Sequence, residues 1–304
     1  MKINAPFRKT AEAGPLLDAG ADNLYCGVCV PGRPDVNDRP NNTVYNLPSL
    51  EALEAAVRLV HSRGKTISVT VNLPFCDVEQ ALAFISEVES LSVDEIVVSS
   101  TALLFALRGR ALNCRLSLSV TNPVFNSEGL AFFRSYGVRK VCLPRHLSLD
   151  EIRAVNAVKG AVEIEAFVMA GLCPFVEGYC GVRISPRKAG RNLEPCHYRW
   201  RVERAHGDAP ADRAALRTVE DHIFIRELDC GLCALFRFRE MGIDSAKIEG
   251  RNYPLDRKVA MVAGVRAMLG LLEREAPPYE EFSAAAKRYL AEHYGPCAPF
   301  NCYY

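Results

Sequence analysis

The chain has 304 residues, 49% hydrophobic and 24% charged, with a formal net charge of +1. This is ordinary globular composition, without the overall basic field that advertises nucleic-acid binding. No stretch has the apolar length of a membrane span, and the opening MKINAPFRK lacks the apolar core of a secretory signal; a cytoplasmic protein is expected.

Short β-rich runs alternate with amphipathic stretches. The strands expected are KINAP (2–6), NLYCGV (23–28), TISVTVN (66–72), EIVVSS (95–100), RLSLSV (115–120), KVCLP (140–144) and VEIEAFVMA (162–170). Between them, SLEALEAAVRLVHSRG reads as a helix capped by Ser49 and stopped at Gly64, and SLDEIRAVNAVKG as one with a Ser148–Glu151 capping box. Such spacing implies βα units and a parallel sheet. With the late strand SAKIEG (245–250) the count reaches eight, which closes into a TIM-like (β/α)8 barrel. An open doubly wound sheet is disfavoured, because no GxGxxG follows the first strand. A single domain over residues 1–304 is expected. Residues 170–245 break the rhythm as a long cysteine-bearing insertion between strands 7 and 8, and 254–293 reads as a helical tail.

Twelve cysteines are many for a reducing compartment, where clustered thiols point to metal or redox chemistry. Cys114 and Cys142 sit in apolar strand-like runs and read as small core residues. Cys173 follows the seventh strand, Cys180 and Cys196 lie in the excursion from it, and Cys230 opens the helix that returns to the barrel bottom. Barrel active sites lie at the C-terminal strand ends, so these four are expected to converge there. Their gaps of six, fifteen and thirty-three residues fit paired zinc knuckles poorly. An iron–sulfur cluster accepts dispersed thiolates, which favours a cluster-binding region over 165–251. Cys26 and Cys29 form a C-x2-C, Cys297 and Cys302 a C-x4-C; together they make a candidate second metal site or redox pair. Cys76 could join either site or none.

Glu165, Arg145, Lys247, Glu249 and Arg251 map to the barrel strands and their ends, joined by Asn72 and Asn122. Each charge has two readings: an internal ion-pair network, or acid–base chemistry and a clamp on a substrate carboxylate. No Ser-His-Asp or HExxH pattern is visible, and His61 reads as an ordinary helix-surface histidine. The runs RKAGRN (187–192) and HYRWRVER (197–204) make the insertion locally basic.

The segment EAFVMAGLCPFVEGYCGVRIS (165–185) resembles the signature of peptidase family U32. IDSAKIEGR (243–251) is similar to that family's Lys-Ile-Glu-Gly-Arg block, and AGADNLYCGV (19–28) and VCLPRHLSLDEI (141–152) to its N-terminal half. The resemblance covers about residues 1–265. It implies a TIM-like barrel and a 4Fe–4S cluster held by Cys173, Cys180, Cys196 and Cys230. It further implies oxygen-independent hydroxylation, with prephenate as a hydroxyl source. A small or aromatic-ring substrate is the favoured expectation. Hydroxylation of a tRNA or rRNA base is the alternative, and proteolysis, after the family name, a second one. A homologous partner subunit or a homodimer is also implied. His146 departs from the pattern, standing where the family commonly has Glu beside the Arg.

Overall fold

The computed structural model describes residues 1–30, 32, 33, 36, 43–171, 176–178, 229–297 and 302–304. Among the described residues nine parallel strands form one sheet: β1 (Lys2–Pro6), β2 (Asn23–Val28), β3 (Asn46–Leu47), β4 (Thr66–Val71), β5 (Glu95–Val98), β6 (Arg115–Leu118), β7 (Lys140–Cys142), β8 (Glu163–Met169) and β9 (Ser245–Ile248). β1 pairs with both β2 and β9, so eight strands close into a barrel while β3 only extends β2 on its outside. Chain-order neighbours pair around the whole circle, the usual arrangement for strands joined by short crossovers. The expected eight-stranded barrel is therefore the fold. The two-residue β3 was not anticipated, because two residues carry no periodicity.

Helices α1 (Thr10–Asp18), α2 (Leu50–Ser62), α3 (Val78–Ser90), α4 (Thr101–Leu107), α5 (Ser127–Arg134), α6 (Leu149–Ala157), α7 (Ala234–Met241), α8 (Leu255–Arg274) and α9 (Tyr279–His293) accompany the strands. α2 buries Leu53, Ala56, Val57 and Val60, the i, i+3, i+4, i+7 stripe of a helix lying against a sheet. Ser49 caps it by accepting the Ala52 N–H, and Gly64 leaves it at φ +64°. The expected tail helix is two helices. Pro277 and Pro278 lack the N–H that continuation needs and push the residues before them out of the helical region. α8 packs on β1 and α1, its Lys258 fully buried and donating to Glu12 Oε2 at 2.6 Å.

α6 carries the expected capping box. Ser148 Oγ accepts the Glu151 N–H at 3.3 Å, and Glu151 Oε2 accepts the Ser148 N–H at 2.8 Å. Ser148→Ala should cost about 1 kcal/mol. The measurement is a denaturant midpoint that falls while the m-value holds.

Candidate active site at the barrel mouth

The barrel interior carries a belt of polar side chains supplied by successive strands. Asn4 Nδ2 donates to Glu165 Oε2 at 2.7 Å, and Asn23 Nδ2 to Asn4 Oδ1 at 2.7 Å and Ser68 Oγ at 2.8 Å. Ser68 Oγ donates to Glu95 Oε1 at 3.0 Å, and Lys140 Nζ joins Glu95 at 3.2 Å to Glu165 at 2.9 Å. Lys247 Nζ meets the other Glu165 oxygen at 2.9 Å, and Ser245 Oγ donates to Glu165 Oε2 at 3.2 Å. The strand register explains the ring. Asn4 lies opposite Asn23, Ser68 opposite Glu95, and Glu165 opposite Ser245, so one layer of inward positions gathers at one height.

Glu165 is the centre of this layer. Its burial raises its pKa, but the Lys140 and Lys247 ammoniums more than reverse this and hold the carboxyl well below its ordinary value. For Lys140 and Lys247, burial lowers the pKa. At Lys140 the Glu165 and Glu95 carboxylates outweigh it, and at Lys247 Cys142, Glu165 and Tyr25 do, so both lysines are raised.

Above the belt lies the mouth. The Arg145 guanidinium stacks on Phe167 with 3.9 Å to the ring centroid, and Lys247 lies 4.7 Å from the Tyr25 centroid. Arg145 Nη2 pairs with Glu177 Oε1 at 2.6 Å, its N–H donates to Glu177 Oε2 at 3.0 Å, and its Nη1 pairs with Glu249 Oε2 at 2.6 Å. A Cβ on Gly171 would come within 2.2 Å of that Glu249 oxygen, so glycine is required for so close an approach. Arg251 Nη1 approaches Thr70 Oγ1 at 3.4 Å. Asn72 Nδ2 donates to Ser119 Oγ at 3.2 Å, and Asn122 Nδ2 to Ser99 O at 2.7 Å, across the ends of β4, β5 and β6.

The expected residues Glu165, Arg145, Lys247, Glu249 and Arg251 are thus all at the belt or the mouth, with ion pairs joining Glu165 to Lys247 and Arg145 to Glu249. Sequence reasoning missed Glu177, which supplies a carboxylate to Arg145 while His146 is exposed. The signal was the Arg145–His146 departure itself, because a buried arginine requires a carboxylate from elsewhere. Cys142 is buried, and burial pushes its thiol pKa up, as the packing reading of that residue expects.

Cys173, Cys180 and Cys196 lie outside the described residues. Cys230 is buried beside β8, its backbone bridged to Met169 and Cys302, and its Sγ accepts the Leu232 N–H at 3.4 Å. A backbone amide on sulfur is the kind of partner that suits a cluster thiolate, so this donor fits a thiolate-held group. Burial, with Cys233, Cys302 and Cys297 nearby, pushes the Cys230 thiol up to about 12. Cys26 and Cys29 are buried at the end of β2, whereas Cys297 and Cys302 line a cavity with Cys230 and Cys233. The tail cysteines thus meet a different C-x2-C from the one expected.

The model of peptidase family U32 matches residues 8–298. The chain belongs to that family. It is 25% identical over 277 residues to the 23S rRNA 5-hydroxycytidine C2501 synthase of Escherichia coli K12, covering 90% of this chain and 40% of that protein. It is 27% identical over 193 residues to tRNA hydroxylation protein P of Haemophilus influenzae, covering 62% of this chain and 40% of that protein. The chain therefore spans less than half the length of these two relatives. A solved U32 peptidase superposes with a TM-score of 0.51 at 13% identity, over 84% of this chain and 94% of that one, a likeness of fold. Among the described residues no helix is long and apolar enough to cross a membrane.

Glu165→Gln in this U32 barrel would leave the Lys247 ammonium without its carboxylate and Lys140 with Glu95 alone. At neutral pH the loss should be roughly 3–5 kcal/mol. The folded-state value of Glu165 lies below the unfolded one, so its contribution is complete above about pH 4.3 and fades as pH falls below it. Urea titrations should therefore show the gap between wild type and variant narrowing only in acid. A gap that stays constant down to strongly acidic pH would contradict the network.

Proposed function

We propose that this U32 protein is an iron–sulfur-dependent, oxygen-independent hydroxylase of an RNA pyrimidine base. The observation that carries the reading is its similarity, over 90% of the chain, to a relative whose name records hydroxycytidine synthesis in rRNA. A second relative is named for tRNA hydroxylation. These relatives shift the preference from the small or aromatic-ring substrate expected from the sequence to RNA. In this reading Cys173, Cys180, Cys196 and Cys230 hold a 4Fe–4S cluster, which when bound supplies one-electron redox chemistry next to the mouth. The amide on Cys230 Sγ supports that assignment.

The chain's own residues have separable roles here. Lys140, Glu165 and Glu95 keep the barrel closed beneath the site. Arg145, Glu177 and Glu249 fix where the cysteine-bearing segment leaves β8. Lys247, with its side chain 12% exposed, and Arg251 are the cations assigned to the carboxylates of a hydroxyl donor such as prephenate. The basic runs at 187–204 are assigned to the RNA phosphates.

Purified without oxygen, the protein should be brown and carry about four irons and four sulfides per chain. Cys173→Ala should strip that iron and Cys114→Ala should not. A colourless protein with stoichiometric zinc and no iron would overturn the cluster.

Deleting the gene should remove one hydroxylated pyrimidine from rRNA or tRNA, read by nucleoside mass spectrometry. The wild-type gene should restore it, and the Cys173→Ala gene should not. An unchanged nucleoside profile would overturn RNA as the substrate and return the reading to a small ring compound.

A further inference from the structure

Three cysteines have no part in the proposed cluster and yet gather in one place. Cys233 stands at the N-terminus of α7, and Cys297 and Cys302 belong to the chain that follows α9. All three line a cavity of about 460 Å³ beside Cys230, Lys287 and Tyr304.

The tail that delivers Cys302 is pinned on both sides. The Tyr303 N–H donates to Cys230 O at 3.0 Å, and the Tyr303 hydroxyl to Gly171 O at 3.2 Å. The Tyr304 hydroxyl donates to Phe167 O at 3.0 Å, and its ring packs edge-on against Phe238 at 5.2 Å. The position of Cys302 is therefore built into the fold.

With Cys230 assigned to the cluster in the proposed function, the three remaining thiols on this cavity cannot all be satisfied by disulfides, since any pairing leaves one over. The C-x4-C spacing of Cys297 and Cys302 is within the range that metal knuckles use. Three thiolates around a divalent ion carry one net negative charge, and Lys287 on the same wall supplies the complement. Cys233 opens a helix, where backbone N–H groups favour an anion, but burial raises its thiol pKa, so the ion itself must supply the charge that holds the thiolate.

As placed, two of the sulfurs have local partners. Cys233 Sγ approaches Ser283 O at 3.9 Å, and Cys302 Sγ lies 2.8 Å from Tyr304 O. Among the described residues no three metal-ligating side chains converge on a single point. Convergence requires these thiols to exchange weak sulfur hydrogen bonds for metal bonds, which are far stronger.

We propose that Cys233, Cys297 and Cys302 are the cysteine ligands of a second metal site, distinct from the cluster, that takes a thiophilic divalent ion of the zinc class. With three cysteines holding it, the ion would keep a fourth position open, as in zinc sites with three protein ligands. The ion would fasten the chain after α9 to the start of α7, and with it the tail that contacts the end of β8.

The test uses the full chain, purified anaerobically with reductant, with iron and zinc measured separately. The expected result is about one zinc per chain beside the iron. Zinc should be lost in Cys233→Ser and in the Cys297→Ser/Cys302→Ser double variant while iron is unchanged. Cys173→Ser should show the reverse, so a failed cluster and a failed zinc site give different results. Cobalt(II) added to metal-stripped, reduced protein should give intense sulfur-to-metal absorption that the double variant lacks. Circular dichroism of the double variant checks that it is folded, and both of its replaced residues are exposed. The proposal is overturned by wild-type protein with neither zinc nor the cobalt band, or by undiminished zinc in the folded double variant. Loss of iron instead of zinc in Cys233→Ser overturns it too, by assigning that thiol to the cluster.

Discussion

The molecule depends on keeping one carboxylate charged inside a parallel barrel. A TIM-like interior is ordinarily filled by branched apolar side chains, and a lone Glu there would cost several kcal/mol in lost hydration. Glu165 is tolerated because both its oxygens are occupied, one by Lys247 and the other by Lys140, Asn4 and Ser245. These partners come from β1, β7 and β9, and hydrogen bonds through Asn23, Ser68 and Glu95 extend the link to β2, β4 and β5. Replacing the belt by apolar residues could leave a barrel just as stable. Such a barrel would lose the ammonium of Lys247, the cation of this layer that stacks against Tyr25 and reaches the mouth.

The exit of the chain from β8 is built on that floor. Ala170 has φ +63° and Gly171 φ +79°, two left-handed residues in succession. For alanine this conformation costs roughly 1–2 kcal/mol and persists only where surroundings over-determine it. Here they do: the Ala170 N–H donates to Asp229 O, the Tyr303 hydroxyl donates to Ala170 O, and the Arg145–Glu249 pair occupies the space a Gly171 side chain would need. The strain sits where the cysteine-bearing segment begins. Tyr303, Arg145 and Glu249 come from three distant parts of the chain and act on one turn.

Much of this was legible in the sequence, for identifiable reasons. Runs such as TISVTV at 66–71 pair β-branched residues with burial beyond the half-buried Thr66, and the strands fall within a few residues of where such runs place them. Ser49 and Ser148 cap because their hydroxyls lie one helical turn from free amides, a purely local matter. The five charged residues of the site were found because charge at a strand end is conspicuous. Whether they form ion pairs or grip a ligand was not legible, since that depends on partners brought from elsewhere. Glu177 shows the limit: it lies 32 residues from Arg145, and only folding identifies it as the partner. The cavity cysteines show it again, because nothing local tells that C-x4-C meets Cys230 and Cys233 rather than Cys26 and Cys29.

Net charge is a poor guide to the RNA partner proposed for this chain, and the reason is spatial averaging. A value of +1 over 304 residues excludes a uniformly basic surface and nothing finer. Between residues 187 and 204 there are six Lys or Arg against two Glu, a net of +4 on eighteen residues. Screening at physiological salt acts over about 8 Å, so phosphates brought against such a segment would feel its charge far more than the chain's total. A hydroxylase of one RNA base needs a grip on the few phosphates flanking that base, with cations concentrated where the substrate enters. In a barrel the C-terminal strand ends are where substrate enters, and in chain order the basic runs fall between β8 and α7.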